Sequence, residues 1–297
     1  MTASASSVGF HIGVHKTATS HLQRSLRQAT DALAEHGVRY FGPENFRSPG
    51  QNIPALFGMN GGDSADRLRT AQHQLAKLQA DGHRLLLSEE NYIGALNPSH
   101  GYAKKMRYGG AGEKISAFAS AIAQDVDVYM AVRRPTALIN SAYCQLLLGG
   151  QIKTIAKYQK RNPISSVNWL DLVSLIRAAK GVGRLIIWKY EDYGQLFPQI
   201  VAEMVGEAAA PHVTPLARPI HMGLSAAAVA EVLHRTEFGP IERVGFAARN
   251  LLPVEQGYPP FDGFSADEHA LGDAAYAAQL KGISALEGVT LLQPQRV

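Results

Sequence analysis

A chain of 297 residues, 46% hydrophobic and 18% charged, is long enough for a large buried core, in one α/β domain or one domain plus a helical subdomain. Its single cysteine, Cys144, excludes an intramolecular disulfide, and no apolar run approaches the roughly 20 residues of a membrane helix. A formal charge of +4 with a pI near 9.1 is too mild at this size to point to nucleic acid.

The opening MTASASSVGF has neither the basic start nor the long apolar region of a secretion signal, so the expectation is a cytoplasmic protein. VGFHIGV (8–14) reads as a buried strand, followed by a helix over 19–35 with Leu22, Leu26 and Leu33 on one face. VRYFG (38–42) predicts a second strand. Residues 43–63, rich in Gly, Asn and Pro, read as a long loop, and 64–80 as a helix leading to the strand RLLLSEE (84–90). A second long loop spans 97–112, where Pro98, Gly101, Gly109, Gly110 and Gly112 fall. DVDVYMAVRRP (125–135) is a strand stopped by proline, and the helix after it opens at Thr136 and closes on glycines. A helix over 167–180 and the strand RLIIWKYED (184–192) follow.

Strands alternating with helices predict an α/β fold, a mostly parallel central sheet flanked by helices. From Phe197 onward the chain reads as mostly helical, with Ser225 opening one helix and a capping box from Ser265 to Glu268 opening another. The reading divides the chain into a core over 1–210 and a helical extension over 211–297 packed on the same domain. Covering the site, making a dimer contact and completing the fold are all open roles for that extension. Two basic clusters, KKMR (104–107) and KTIAKYQKR (153–161), are either a solvated face or a patch that receives an anionic substrate.

The stretch that carries chemistry is FHIGVHKTATSHLQRSL (10–26). A turn from a parallel strand into a helix exposes the helix's first N–H groups, a natural anion site. Lys16 adds a full charge, Thr17, Thr19 and Ser20 add hydroxyl donors, and the small Ala18 lets the backbone approach the anion. The plainer reading is a helix capped by Thr17 or Thr19 with Lys16 solvated. A nucleotide-triphosphatase loop is excluded, because its lysine comes late and Gly13 is the only glycine here.

The order strand, lysine, hydroxyls, helix resembles the 5′-phosphosulfate loop of the sulfotransferases, whose fold is related to the nucleotide kinases. HKTATS departs from it at His15, where proline is usual, and at Ala18, where glycine is usual; a negative φ at Ala18 would make the second change harmless. AVRRPTALINSAY resembles the family's 3′-phosphate site, with Arg133 at a strand end, Ser141 eight residues later and Tyr143 after it. LLLSEENY and RLIIWKYEDYGQLFPQIVAEMVGE resemble later landmarks, so the resemblance covers most of the chain from Phe10 to Glu207, the long loops apart.

The resemblance implies a bacterial-type enzyme moving a sulfuryl group from 3′-phosphoadenosine 5′-phosphosulfate (PAPS) to a hydroxyl or amine of a carbohydrate or small acceptor. It implies Lys16 and the N–H groups of Thr17–Ser20 on the leaving phosphate, Arg133 and Ser141 on the 3′-phosphate, and no metal. A glutamate serves as base in the glycan branch, which points to Glu90 and then Glu89; strand alternation would send these two to opposite sides. A histidine serves in the small-molecule branch, which points to His15, while His11 is expected to face the sheet. Acceptor binding falls to the two loops and the basic connector, with Lys104, Lys105 and Arg107 available to an acidic sugar. Trp169 is open to stacking on a sugar ring, whereas Trp188 reads as core. An ATP-dependent phosphotransferase and a non-catalytic nucleotide-binding protein are the rival readings.

Overall fold

The computed structural model describes residues 7–60, 63–79, 82–103, 105–217, 223–235 and 243–294. In chain order it shows β1 (Val8–His11), α1 (Thr19–Gln28), α2 (Thr30–Glu35), β2 (Val38–Phe41), α3 (Pro43–Phe46), α4 (Ile53–Leu56), α5 (Ser64–Gln79) and β3 (Arg84–Ser88). Then come α6 (Ala111–Ile122), β4 (Val126–Val132), α7 (Pro135–Leu148), α8 (Ile155–Arg161), α9 (Trp169–Arg177), β5 (Val182–Lys189) and α10 (Tyr193–Val205). The chain closes with α11 (Ala226–Arg235), α12 (Val244–Leu251), α13 (Ala266–Ser284) and β6 (Val289–Leu291).

The six strands form one sheet in the order β2-β3-β1-β4-β5-β6, with every adjacent pair parallel. This is the α/β architecture expected from the alternating pattern. Apolar runs make it possible, since a parallel sheet is covered on both faces: all seven residues of β4 are buried. Alternate residues divide between the two faces. Phe10, Leu85, Leu87, Val128, Met130 and Ile187 pack in the core layer that includes residues of α5, α6, α7 and α9. Leu86, Tyr129, Ala131, Ile186 and Trp188 pack in the other layer, with Leu22 and Leu26 of α1, Leu33 of α2, and α10.

Several local expectations change. The helix over 19–35 is two helices, broken at Ala29. The 43–63 segment holds two short helices, each with proline in its first turn, a position where its missing N–H costs nothing. The α7 helix starts one residue earlier than expected, at Pro135; Thr136 is buried and its hydroxyl bonds His269 instead of capping. Neither α6 nor β6 is marked in the sequence reading. Three residues suffice for β6 because it pairs along β5, and the Leu292 N–H just beyond it donates to Ile187. No helix among the described residues is long and apolar enough to cross a membrane.

Candidate functional site

Because the sheet is parallel, the carboxyl ends of β3, β1 and β4 lie side by side on one edge, with His11 registered against both Ser88 and Tyr129. The chain leaves β1, builds β2 and β3 on one side, then crosses to β4 on the other. That reversal is the place in an open parallel sheet where ligands bind. The segments that follow these three strands carry Lys16, Glu90 and Arg133.

The loop after β1 has an unusual backbone. Gly13, Lys16 and Ala18 all have positive φ, at 54°, 66° and 62°. Ala18 is the N-cap of α1 in the left-handed conformation, so the negative φ that would make it interchangeable with glycine is not found. Left-handed residues separated by one ordinary residue turn successive N–H groups to the same side, forming a concave nest for an anion. The N–H groups of Lys16 through Ser20 have no acceptor among the described residues.

The hydroxyls of Thr17 and Thr19 turn inward. Both donate to the Val14 carbonyl, at 2.5 and 3.2 Å, and both side chains are buried. They brace the loop, so what Thr17 and Thr19 offer an anion is backbone N–H, and neither hydroxyl caps α1.

Two cations meet at this loop. Arg133 donates through Nη1 to the Lys16 carbonyl, lies 4.1 Å over the Tyr190 ring, and leaves a buried Nε without an acceptor among the described residues. The indole of Trp169 fixes its backbone by donating to the Arg133 carbonyl at 2.8 Å. Lys16 reaches across to Gln145 Oε1 at 3.2 Å. Ser141 sits one helical turn before Gln145, on the same side of α7, and its hydroxyl has no partner among the described residues. Burial and then the neighbouring Arg133 charge lower the Lys16 pKa, and burial lowers that of Arg133. Neither forms an ion pair with a carboxylate among the described residues.

Glu89 and Glu90 do not point to opposite sides. β3 ends at Ser88 and residues Glu90–Tyr92 form a turn of 3-10 helix, so strand alternation has already stopped. One guanidinium, Arg47, spans both: Nε and Nη2 contact Glu89 at 3.0 and 2.8 Å, and Nη2 contacts Glu90 at 2.7 Å. Glu89 also caps the 3-10 turn through the Asn91 N–H. Glu90 accepts from Gln23 at 2.8 Å and lies against the nest loop, where a Cβ added to Gly13 would stand 3.1 Å from its own. Burial opposes the Glu90 charge, but hydrogen bonds from Gln23 and Arg47 outweigh it and hold the carboxyl below its usual range. Arg47 and Gln23 are the site residues that sequence reasoning missed. Gln23 could have been found as a polar residue on the buried side of α1, beside Leu22 and Leu26. Arg47 lies just past α3 in irregular chain and carries no signal.

His15 is fully engaged. Its Nε2 donates to Asn91 Oδ1 at 3.0 Å, and its Nδ1 accepts from the Tyr108 hydroxyl at 2.9 Å, with the two rings stacked. Burial lowers its pKa, so it stays neutral, with no nitrogen open to an acceptor proton. His11 faces the sheet, stacks on Trp188 and bonds Ser88, and burial pushes its pKa down to about 4. Trp169 and Trp188 are each 1% exposed, so neither stacks on a sugar. Arg107 is 2% exposed and does not reach the surface, while Lys105 is exposed and Lys104 lies outside the described residues.

No family model and no curated protein matches this chain. Among solved structures it is similar to a sulfotransferase from Alicyclobacillus acidocaldarius, at 14% identity and a TM-score of 0.40, over 83% of this chain and 96% of that one. It is also similar to a retinol dehydratase in complex with androsterone and the inactive cofactor PAP, at 12% identity and a TM-score of 0.34, over 93% and 81%. Such likeness supplies no residue correspondence, and the chemistry of the site rests on the geometry above.

Proposed function

We propose that this chain is a sulfotransferase that takes its sulfuryl group from PAPS and gives it to a hydroxyl of a carbohydrate or small acceptor. One observation carries the reading: two desolvated cations, Lys16 and Arg133, and a run of open N–H groups meet at the loop after β1, and neither cation forms an ion pair with a carboxylate among the described residues. Desolvated charge of that kind is costly unless a ligand of opposite sign completes it. A donor with phosphate groups at both ends of its ribose fits such a set, and its own chemistry is to present sulfur bonded to a good leaving phosphate.

Position supports the following roles. Lys16 and the N–H groups of residues 16–20 offset the charge that grows on the leaving 5′-phosphate, as preorganised donors do at other developing anions. The free edge of Arg133 and the Ser141 hydroxyl hold the 3′-phosphate and fix the donor's place. Glu90, ionised and beside the nest, takes the acceptor's proton as the acceptor oxygen bonds to sulfur and the bridging S–O bond breaks. Arg47 and Gln23 keep that carboxylate charged and aimed. Glu89, bound on two sides by Arg47 and the Asn91 N–H, fixes Arg47.

Transfer of a labelled sulfuryl group, followed with a panel of hydroxylated acceptors, tests this. Glu90→Gln is expected to lower turnover about 100-fold or more while nucleotide affinity stays the same. A variant with undiminished turnover would remove Glu90 from the chemistry, and a wild type that uses ATP in place of PAPS would replace the reading with a phosphotransferase.

A further inference from the structure

The loop that brings Tyr108 to His15 also forms one wall of a cavity of about 840 Å³. His100 and Lys105 line it from this loop, and Lys153, Lys157, Lys160 and Arg161 line it from α8 and the segment before it. Five full positive charges thus line one space, with no aspartate or glutamate in its lining among the described residues. None of the five pairs with a carboxylate among the described residues.

The same loop buries a sixth cation. The Arg107 guanidinium lies 4.1 Å over the Tyr102 ring and donates to the Leu96 carbonyl at 3.2 Å, while its Nε and Nη2 have no hydrogen-bond acceptor among the described residues. Like charges gathered this way repel one another and raise a positive potential inside the cavity. The walls are tied together against that repulsion. The Tyr102 N–H donates to the Arg161 carbonyl at 2.8 Å, Tyr158 donates to Asn97 at 2.7 Å, and Asn97 donates to the Ala142 carbonyl at 2.9 Å.

Position links this cavity to the candidate site. Lys105 is three residues from Tyr108, a stretch of chain that spans at most about 11 Å, and the Tyr108 hydroxyl bonds His15, the neighbour of Lys16. We propose that the cavity binds a multiply charged anionic acceptor, an oligosaccharide carrying several sulfate or carboxylate groups. Lys105, Lys157 and Lys160 neutralise its charges while the hydroxyl to be modified extends toward Glu90. The space far exceeds what one inorganic anion needs, and the charge is gathered in a cavity rather than along a stripe that would track a nucleic acid backbone. As an acceptor site it rests on the sulfotransferase reading; as an anion site it stands on its own lining.

The test titrates a heparin-derived tetrasaccharide, uncharged chitotetraose and a short single-stranded DNA into the full chain and a Lys157→Glu/Lys160→Glu variant. The heparin fragment is expected to bind the wild type, more weakly as salt is raised, and to lose about tenfold or more in the variant, whose melting temperature is unchanged because both positions are exposed. Equal binding of chitotetraose, unchanged affinity in the variant, or tighter binding of the DNA would each overturn the proposal. Parallel titration of 3′-phosphoadenosine 5′-phosphate separates the two readings. A wild type that takes the heparin fragment but not this nucleotide keeps the cavity's role and sinks the donor assignment, and the opposite pattern does the reverse.

Discussion

Ala18 shows how a single backbone angle decides what a loop can do. A left-handed conformation costs a residue with a Cβ about 1–2 kcal/mol, and this loop carries that cost twice, at Lys16 and Ala18. In return the N–H groups of residues 16–20 are left without an acceptor among the described residues. Replacing Ala18 by glycine removes the steric cost but adds freedom to the unfolded chain, so Ala18→Gly is expected to stabilise the fold by about 0.5–1 kcal/mol. An unchanged or lower urea midpoint would show that the loop does not hold this shape. Lys16 was legible in the sequence as a candidate because a lysine followed by hydroxyls at a strand-to-helix turn is a pattern suited to an anion. The direction of the hydroxyls was not legible, since Thr17 and Thr19 find an acceptor in their own loop at Val14, a contact that spacing does not reveal.

At the scale of elements, the ends of strands matter more than their middles. Glu89 and Glu90 were legible as candidates because acids after an apolar run must lie near the sheet edge. Their shared partner was not, because the strand rule lapses at Ser88 and Arg47 comes from 42 residues earlier in the chain. The opposite edge of the sheet is held by a different device. Asp127 in β4, with no exposed side-chain surface, takes Arg84 of β3 at 3.1 Å and Arg184 of β5 at 2.9 Å. Burial opposes its charge, but the hydrogen bonds from Arg184 and the Arg84 charge overcome this and lower its pKa. Asp127→Ala removes the buried acceptor shared by both guanidiniums, leaving Arg184 with Glu203 and Arg84 with the Tyr129 hydroxyl and the Met204 carbonyl, and is expected to cost about 1–3 kcal/mol in unfolding free energy. A loss below about 1 kcal/mol would mean that solvent already compensates them. The strands themselves were easy to read as apolar runs; β6 was not, because three residues carry no pattern until a neighbouring strand receives them.

For the whole molecule, the residues that a sulfotransferase reading needs come from three separate stretches, and one parallel sheet gathers those stretches at one edge. The class of fold could be inferred from the alternation of apolar runs and amphipathic helices. The basic connector could be seen as a charged stretch, but its cavity depends on α8 meeting the loop at Gly101 and Tyr102, a long-range contact with no local signature. Arg133 is the position on which the proposed donor site turns, because it joins the β4 end to the Lys16 carbonyl. The most direct measurement is calorimetric titration of 3′-phosphoadenosine 5′-phosphate, against ATP and 5′-AMP, into the wild type and Arg133→Ala. Tight binding of the 3′-phosphorylated nucleotide, with a loss of tenfold or more in the variant (about 1.4 kcal/mol), is the predicted result. Equal affinity for ATP, or a variant that binds as the wild type does, would contradict the assignment of both phosphate sites.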